Sequence, residues 1–326
     1  MITNFGIYSK KIKKRKSFIC GIKGLKLNYN EIKFLKKHKP WGIILFSRNI
    51  KTVSQTKKLT DNIRNIFSDE NYPILIDEEG GRVSRLKSII DNSLFTAKYF
   101  GSIYKTNNKK FNLYLKIYIE QISYLLNILG ININTVPVLD LNIKGMHKII
   151  GDRAYSSNPN IVSAIGDITI NNFHKNKIAT VIKHIPGHGN SLVDSHKKLP
   201  IINKNKKYLI KKDFFAFKKK NSLFAMTGHL KFQKIDKNYC VTHSKILIDI
   251  IRKKIGFRNI LITDDISMKS LKLPLSTNVK KAITAGCNLI LHCNGNMREM
   301  KIVAKNSNYL SNFVIKKTSK FYKIIS

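Results

Sequence analysis

Cysteine is scarce in this chain: Cys20, Cys240, Cys287 and Cys293 stand at irregular spacings, which excludes a disulfide-stapled scaffold and a finger-type metal site. Cys20, Cys287 and Cys293 fall in apolar, strand-like runs and are expected to be buried, reduced thiols. Long apolar runs are missing too. None approaches the roughly 20 residues that cross a bilayer, and residues 1–16 are polar and then basic with no apolar segment behind them. The expectation is a soluble, cytoplasmic protein that binds no membrane. Acids are the rarest charged class, 19 Asp+Glu against 60 Lys+Arg, for a formal net charge of +41. Such an excess suits a polyanion partner. The lysines, however, run the whole length beside abundant Ile and Asn, as an AT-rich coding bias would produce. No helix-turn-helix, Cys/His finger or RNP-like aromatic pattern accompanies them, so no specific nucleic acid is expected. Internal repeats and long linkers are absent as well.

What is present is an alternation. Short apolar runs lie at 17–22, 42–46, 73–76, 131–138, 179–182, 223–226, 259–262 and 288–292. Between them, helical spacing of apolar residues predicts helices over 30–38, 52–67, 114–129, 161–174, 207–219, 244–255 and 279–285. Gly130, Gly256 and Gly286 each follow a helix where a C-terminal glycine is expected. Continuous apolar strands alternating with helices imply parallel pairing buried on both faces, and eight of them imply one closed (β/α)8 barrel of the TIM type. A single domain over 1–326 is expected, with a closing helix and basic tail from about 297.

The few acids are placed unevenly. Of the 19, Asp77, Glu78, Glu79, Asp140, Asp152, Asp194, Asp264 and Asp265 sit at strand ends or in the loops that follow. In such a barrel those positions converge on the face where active sites are built. Solvated surface carboxylates would instead be scattered along helices.

Three segments carry the chemistry. After the fifth run comes Lys183-His184-Ile185-Pro186-Gly187-His188-Gly189, then Asn190 and, farther on, Asp194-Ser195-His196. Glycine and proline suit a tightly specified backbone path, and one carboxylate two residues from an imidazole can hold a proton-transfer group in a chosen tautomer. An incidental contact in a polar loop is the plainer alternative. After the third run, Asp77-Glu78-Glu79-Gly80-Gly81-Arg82 places three acids together, costly unless they pair or bind something. Glu79 with Arg82 reads as an internal ion pair, whereas Asp77 is best placed to face the axis. Arg153 could donate fork-like hydrogen bonds to a polar substrate, with Asp140 and Asp152 as its structural partners. After the seventh run, Asp264 and Asp265 point oppositely, so only one aims inward. Asp264 is the choice, with Asp265 turned towards the next helix start as a cap or ion-pair member.

Taken together, the segment from Lys183 to Gly189, followed by Asp194-Ser195-His196, resembles the Lys-His-Phe-Pro-Gly-His-Gly … Asp-Ser-His signature of the bacterial β-N-acetylglucosaminidases of glycoside hydrolase family 3. Trp41-Gly42-Ile43-Ile44-Leu45-Phe46-Ser47-Arg48-Asn49, Met226-Thr227-Gly228-His229 and Thr263-Asp264-Asp265-Ile266-Ser267-Met268 agree in order and spacing. The resemblance covers nearly the whole chain. It implies a single-domain barrel that removes terminal β-linked N-acetylglucosamine with retention, from peptidoglycan fragments in cell-wall recycling. It also implies Asp264 as nucleophile, His196 as general acid/base oriented by Asp194, and Asp77, Arg85, Arg153, Lys183 and His184 as sugar contacts. No cofactor or metal is called for, the partner is a small carbohydrate, and a monomer is expected. The family's usual Gln and Asp are replaced here by Glu78 and Asn190. A metal-dependent hydrolase using His184, His188, Asp194 and His196, or a degraded barrel kept as a binding protein, would be the alternatives.

Overall fold

The computed structural model describes residues 12–147, 149–195 and 198–326. Ten strands follow in chain order: β1 (Lys16–Gly21), β2 (Pro40–Leu45), β3 (Ile74–Ile76), β4 (Ile133–Asn134), β5 (Ala179–Ile185), β6 (Ile201–Ile202), β7 (Phe224–Thr227), β8 (Lys231–Phe232), β9 (Ile260–Asp265) and β10 (Leu289–His292). Eight of them close a parallel barrel in the order β1-β2-β3-β4-β5-β7-β9-β10, while β6 and β8 pair beside it. Each of the eight apolar runs has thus become a barrel strand. The reason is visible in β9, where Ile260 and Ile262 pack in the barrel interior and Leu261 packs against the helices. A strand buried on both faces needs apolar residues at every position.

The limits of the strands matter more than their number. The run at 131–138 contracts to Ile133–Asn134. Its ladder to β3 extends one residue each way, through Asn132 N–H to Ile74 O and Thr135 N–H to Ile76 O, and ends at Pro137, which has no N–H to give, while towards β5 Pro137 O and Leu139 N–H still pair with Lys183. The fifth and seventh strands are longer than the apolar runs at 179–182 and 259–262, reaching Ile185 and Asp265. Lys183, His184 and Asp264 therefore sit on the rigid sheet.

The helices follow the same logic. Gly256 and Gly286 close theirs at φ 84° and 114°, a conformation open to glycine. The predicted helix over 207–219 is broken, with Lys206–Lys211 followed by a single tight turn at Phe215–Phe217. Asp213, Phe214, Ala216 and Phe217 are all buried. A helix at Ala97–Thr106, capped by Thr96, was not anticipated.

From Met297 the chain forms two helices, Met297–Asn306 and Asn312–Ile325. The second carries Val314, Ile315 and Phe321 against the barrel interior. Phe321 meets Phe224 and Trp41, whose indole N–H donates to Thr318 Oγ1 at 2.9 Å. Since Trp41 and Phe224 begin their strands, this helix covers the N-terminal mouth of the barrel. The opposite, C-terminal mouth is left for a site.

Candidate active site

At the end of β3 the three acids separate because the chain alternates. Glu78 turns away from the axis and is fully buried. It accepts from the backbone N–H of Arg85 (2.7 Å) and Leu86 (3.1 Å) and from Asn92 Nδ2 (2.5 Å), which ties down the loop that follows. Burial pushes its carboxyl up against those donors. Asp77 and Glu79 face the mouth.

Both are held by cations from other elements. Lys183, at the end of β5 and joined to His184 by a cis peptide, places Nζ 2.7 Å from Glu79 Oε1, 3.2 Å from Asp77 Oδ1 and 2.7 Å from Thr135 Oγ1. Arg153 grips Glu79 with two bonds, Nε to Oε2 at 2.7 Å and Nη2 to Oε1 at 2.8 Å. Arg85 Nη2 reaches Asp77 Oδ2 at 3.1 Å, and the Thr135 hydroxyl donates to Asp77 Oδ1. Burial alone would raise both acids, but the neighbouring charges win. Lys183 and Arg85 hold Asp77 well below the usual carboxylate range, and Arg153 and Lys183 hold Glu79 down at about 2. Arg153 is raised in turn, with Glu79 outweighing burial.

Two expected pairings are therefore corrected. Glu79 does not pair with Arg82. The glycines at φ 84° and 59° reverse the chain between them, so that Glu79 N–H bonds Val83 O and Arg82 reaches Asp152 at 2.7 Å. Nor do Asp140 and Asp152 hold Arg153, whose partner is Glu79. Asp140, fully buried, serves the β5 loop instead. It takes the ring Nδ1–H of His184 at 2.6 Å, with the backbone N–H of His184 at 3.2 Å and of His188 at 2.7 Å. That bond fixes the orientation of the His184 ring.

Asp264, half-buried at the end of β9, accepts the Asp265 N–H on Oδ1 at 2.8 Å. Asp265 indeed turns aside, although it caps a local turn rather than a helix start: its Oδ1 accepts from Ser267 N–H and Oγ–H and from Cys293 N–H. His229 fixes the same corner from β7. Its Nε2–H donates to Asp265 O at 3.0 Å, so its Nδ1 accepts from Thr242 Oγ1 at 2.8 Å.

These residues share one pocket of about 200 Å³, lined by Asp77, Glu79, Arg85, Arg153, Lys183, His184, His188, Ser195, Asp264 and Cys293 among others. All five residues read as sugar contacts and Asp264 are thereby brought together. Four cations (Arg82, Arg85, Arg153, Lys183) and three carboxylates (Asp77, Glu79, Asp264) line the pocket, and Arg82 is paired with Asp152 outside the lining. Asp194 is half-buried near the rim, its carbonyl accepting Lys198 N–H at 2.9 Å. His196 lies outside the described residues, as does the question of how its side chain stands to Asp264.

Several groups in or beside the pocket were given another role by the sequence, or none. Glu79 and Thr135 are central, yet their partners are more than forty residues away. His188 lines the pocket with neither ring nitrogen hydrogen-bonded. Burial draws it down to about 4, so the ring is neutral. Cys293 is half-buried at the rim, unlike the other three cysteines, and all four are free thiols.

The profile of the glycosyl hydrolase family 3 N-terminal domain matches residues 10–318. The chain is 30% identical over 313 residues to a β-hexosaminidase of Psychromonas ingrahamii, covering 94% of this chain and 89% of that protein. It is 33% identical over 263 residues to one of Hydrogenovibrio crunogenus, covering 78% and 71%. A family 3 β-N-acetylglucosaminidase from Paenibacillus sp. superposes with a TM-score of 0.85 at 24% identity, over 96% of this chain and 61% of that one. NagZ from Neisseria gonorrhoeae in complex with N-trifluoroacetyl-D-glucosamine gives 0.80 at 23% identity over 96% of each chain; at such identity both speak for the fold. With the barrel, its charged C-terminal pocket and these relatives in agreement, the chain belongs to glycosyl hydrolase family 3 and is a glycoside hydrolase that groups with the family's β-hexosaminidases.

Proposed function

We propose that this protein is a retaining exo-β-N-acetylglucosaminidase that works in the cytoplasm on peptidoglycan fragments, in cell-wall recycling. One observation carries most of the reading: Asp264 shares a small pocket with Asp77, Arg85, Arg153, Lys183 and His184. The pocket is closed beneath by the barrel's apolar core, which suits a chain end rather than a chain middle. In this reading Asp77 accepts sugar hydroxyl protons, while Arg85, Arg153 and Lys183 donate to the ring substituents. Their mutual ion pairs spare them reorganisation when the sugar arrives.

Asp264 attacks the anomeric carbon, and the bond to the leaving oxygen breaks as His196, oriented by Asp194, gives that oxygen its proton. Water then attacks the same carbon, His196 takes the water's proton, and Asp264 is released as carboxylate. Two inversions give net retention. The assignment of His196 draws support from Ser195, its neighbour, which lines the same pocket as Asp264.

The test is hydrolysis of a chromogenic β-N-acetylglucosaminide. Asp264→Ala should lose activity by about 10³-fold or more, as expected for removal of a covalent nucleophile, and a quenched reaction of the unaltered enzyme should carry one N-acetylhexosamine on the peptide containing Asp264. Full activity in Asp264→Ala would overturn the nucleophile assignment. Muropeptides carrying a terminal N-acetylglucosamine should be turned over in preference to internal linkages of an intact glycan.

A further inference from the structure

Behind the pocket, the loop after β5 rests on a carboxyl group that the mechanism does not use. Asp213, in the segment where the predicted helix breaks, is fully buried together with Asn190. Asn190 Nδ2 donates to Asp213 Oδ2 at 2.7 Å. The other two oxygens, Asn190 Oδ1 and Asp213 Oδ1, are buried without a hydrogen-bond partner. An amide and a carboxylate cannot satisfy both, because each of those oxygens only accepts. A proton on Asp213 Oδ1 converts the two orphans into donor and acceptor.

We propose that Asp213 is a neutral carboxylic acid that clamps Asn190 through two reciprocal hydrogen bonds, and so positions the loop bearing Asp194 over the pocket. The backbone fits this clamp. Gly187 has φ 133° and lies so close that a Cβ there would sit 2.7 Å from Asp213 Cβ, so the loop meets Asp213 twice, at its Cβ beside Gly187 and at its carboxyl through Asn190. The surrounding charges favour the neutral form. Burial acts first and Asp140, on the loop after β4, acts second, together pushing Asp213 up to about 7. Asp140 is itself committed to His184 and to the His188 N–H, so those histidines do not offset it. Lys211 and Lys212, beside Asp213 in the chain, are exposed, and no cation among the described residues pairs with it.

The loop holds Asp194, whereas the sugar contacts Asp77, Arg85, Arg153, Lys183 and His184 stand off it. Loss of the clamp should therefore lower kcat and spare KM. The catalytic consequence rests on the proposed roles of Asp194 and His196, but the protonation does not, so the test has two arms. In the first, the ¹³C-carboxyl NMR signal of Asp213, identified by its absence in Asp213→Asn, should titrate with a midpoint near 7. Amide exchange over 189–195 should quicken in step. A signal that is carboxylate throughout about pH 5 to 9 would overturn the proposal. In the second, Asp213→Asn keeps two reciprocal bonds without a proton to lose, and should retain kcat while losing the alkaline fall expected of the unaltered enzyme. Asp213→Leu should lose about tenfold in kcat, the equivalent of one or two hydrogen bonds, with KM within about twofold. An unchanged pH profile in Asp213→Asn, with kcat unchanged in a folded Asp213→Leu, would show that the pair does not position the loop.

Discussion

Lys183 holds two carboxylates on one buried ammonium, with Thr135 as third acceptor. Removing one partner of such a group leaves uncompensated charge in a low-dielectric site, typically at a cost of about 3–5 kcal/mol. Lys183→Met should therefore lower both kcat/KM and the urea midpoint, since Asp77 and Glu79 would be left with Arg85 and Arg153 alone. A variant with normal stability and only weakened activity would mean that the ammonium serves the substrate rather than the protein. At this scale the sequence was half legible. Lys183, His184 and Asp264 stood out because they end apolar runs. Glu79 was misassigned to Arg82 because nearness in sequence is a poor guide when Gly80 and Gly81 both take positive φ and fold the chain back. Its real partners come from β5 and from the loop carrying Arg153, and only barrel closure makes them neighbours.

The elements were read more securely than the pairs. A strand buried on both faces advertises itself as a continuous apolar run, so all eight barrel strands were visible, and the helix-ending glycines marked boundaries. One failure has a physical cause: Pro137 has no N–H to carry the ladder of β4 on towards β3. The helix expected over 207–219 ends at Lys211 and gives way to a tight turn at Phe215–Phe217. The apolar stripe of the helix Asn312–Ile325 is plain once its destination is known. Phe321 is fully buried against Trp41 and Phe224. Phe321→Ala should cost about 3–5 kcal/mol, the usual range for deleting a buried phenyl group, measured by urea unfolding. A cost below about 1 kcal/mol would mean that the barrel does not depend on this helix.

For the whole molecule, the buried titratable groups set a pH window. His174, His188 and His243 are each drawn from 6.5 to about 4 by burial. Between those values the unfolded chain binds protons that the folded one refuses, so stability falls as pH drops from 6.5 through 4. Asp213 works in the opposite sense. Raised from 3.8 to about 7, it adds stability on acidification over the same range. Three imidazoles against one carboxyl leave a net loss, and Glu79, held at about 2, adds a further loss as pH falls from 4.5 towards that value. The urea midpoint should thus decline from pH 6.5 to 4, and more steeply in Asp213→Asn, where the opposing gain is gone. A midpoint that rises with acid would contradict the net loss assigned to the imidazoles and Glu79. The excess of lysine predicts a different behaviour: RNA retained at low salt should be shed at physiological salt, with no effect on turnover of a neutral glycoside.

The foot of the barrel ties the first strand to the last helix. Ser17 N–H bonds Asn308 O, Leu310 N–H bonds Arg15 O, and Arg15 and Tyr322 meet on Asp69. Protein synthesis is directional, and a ribosome releases Lys16 long before it releases Tyr322. Until residues 308–322 clear the exit tunnel, Trp41 and Phe224 have no cover and the nascent barrel is an open vessel. Ribosome-bound chains stalled before Asn308 should be cleaved readily by protease and captured by chaperones, while chains stalled far enough past residue 326 for the last helix to leave the tunnel should resist both, so that completion of the barrel waits on that helix.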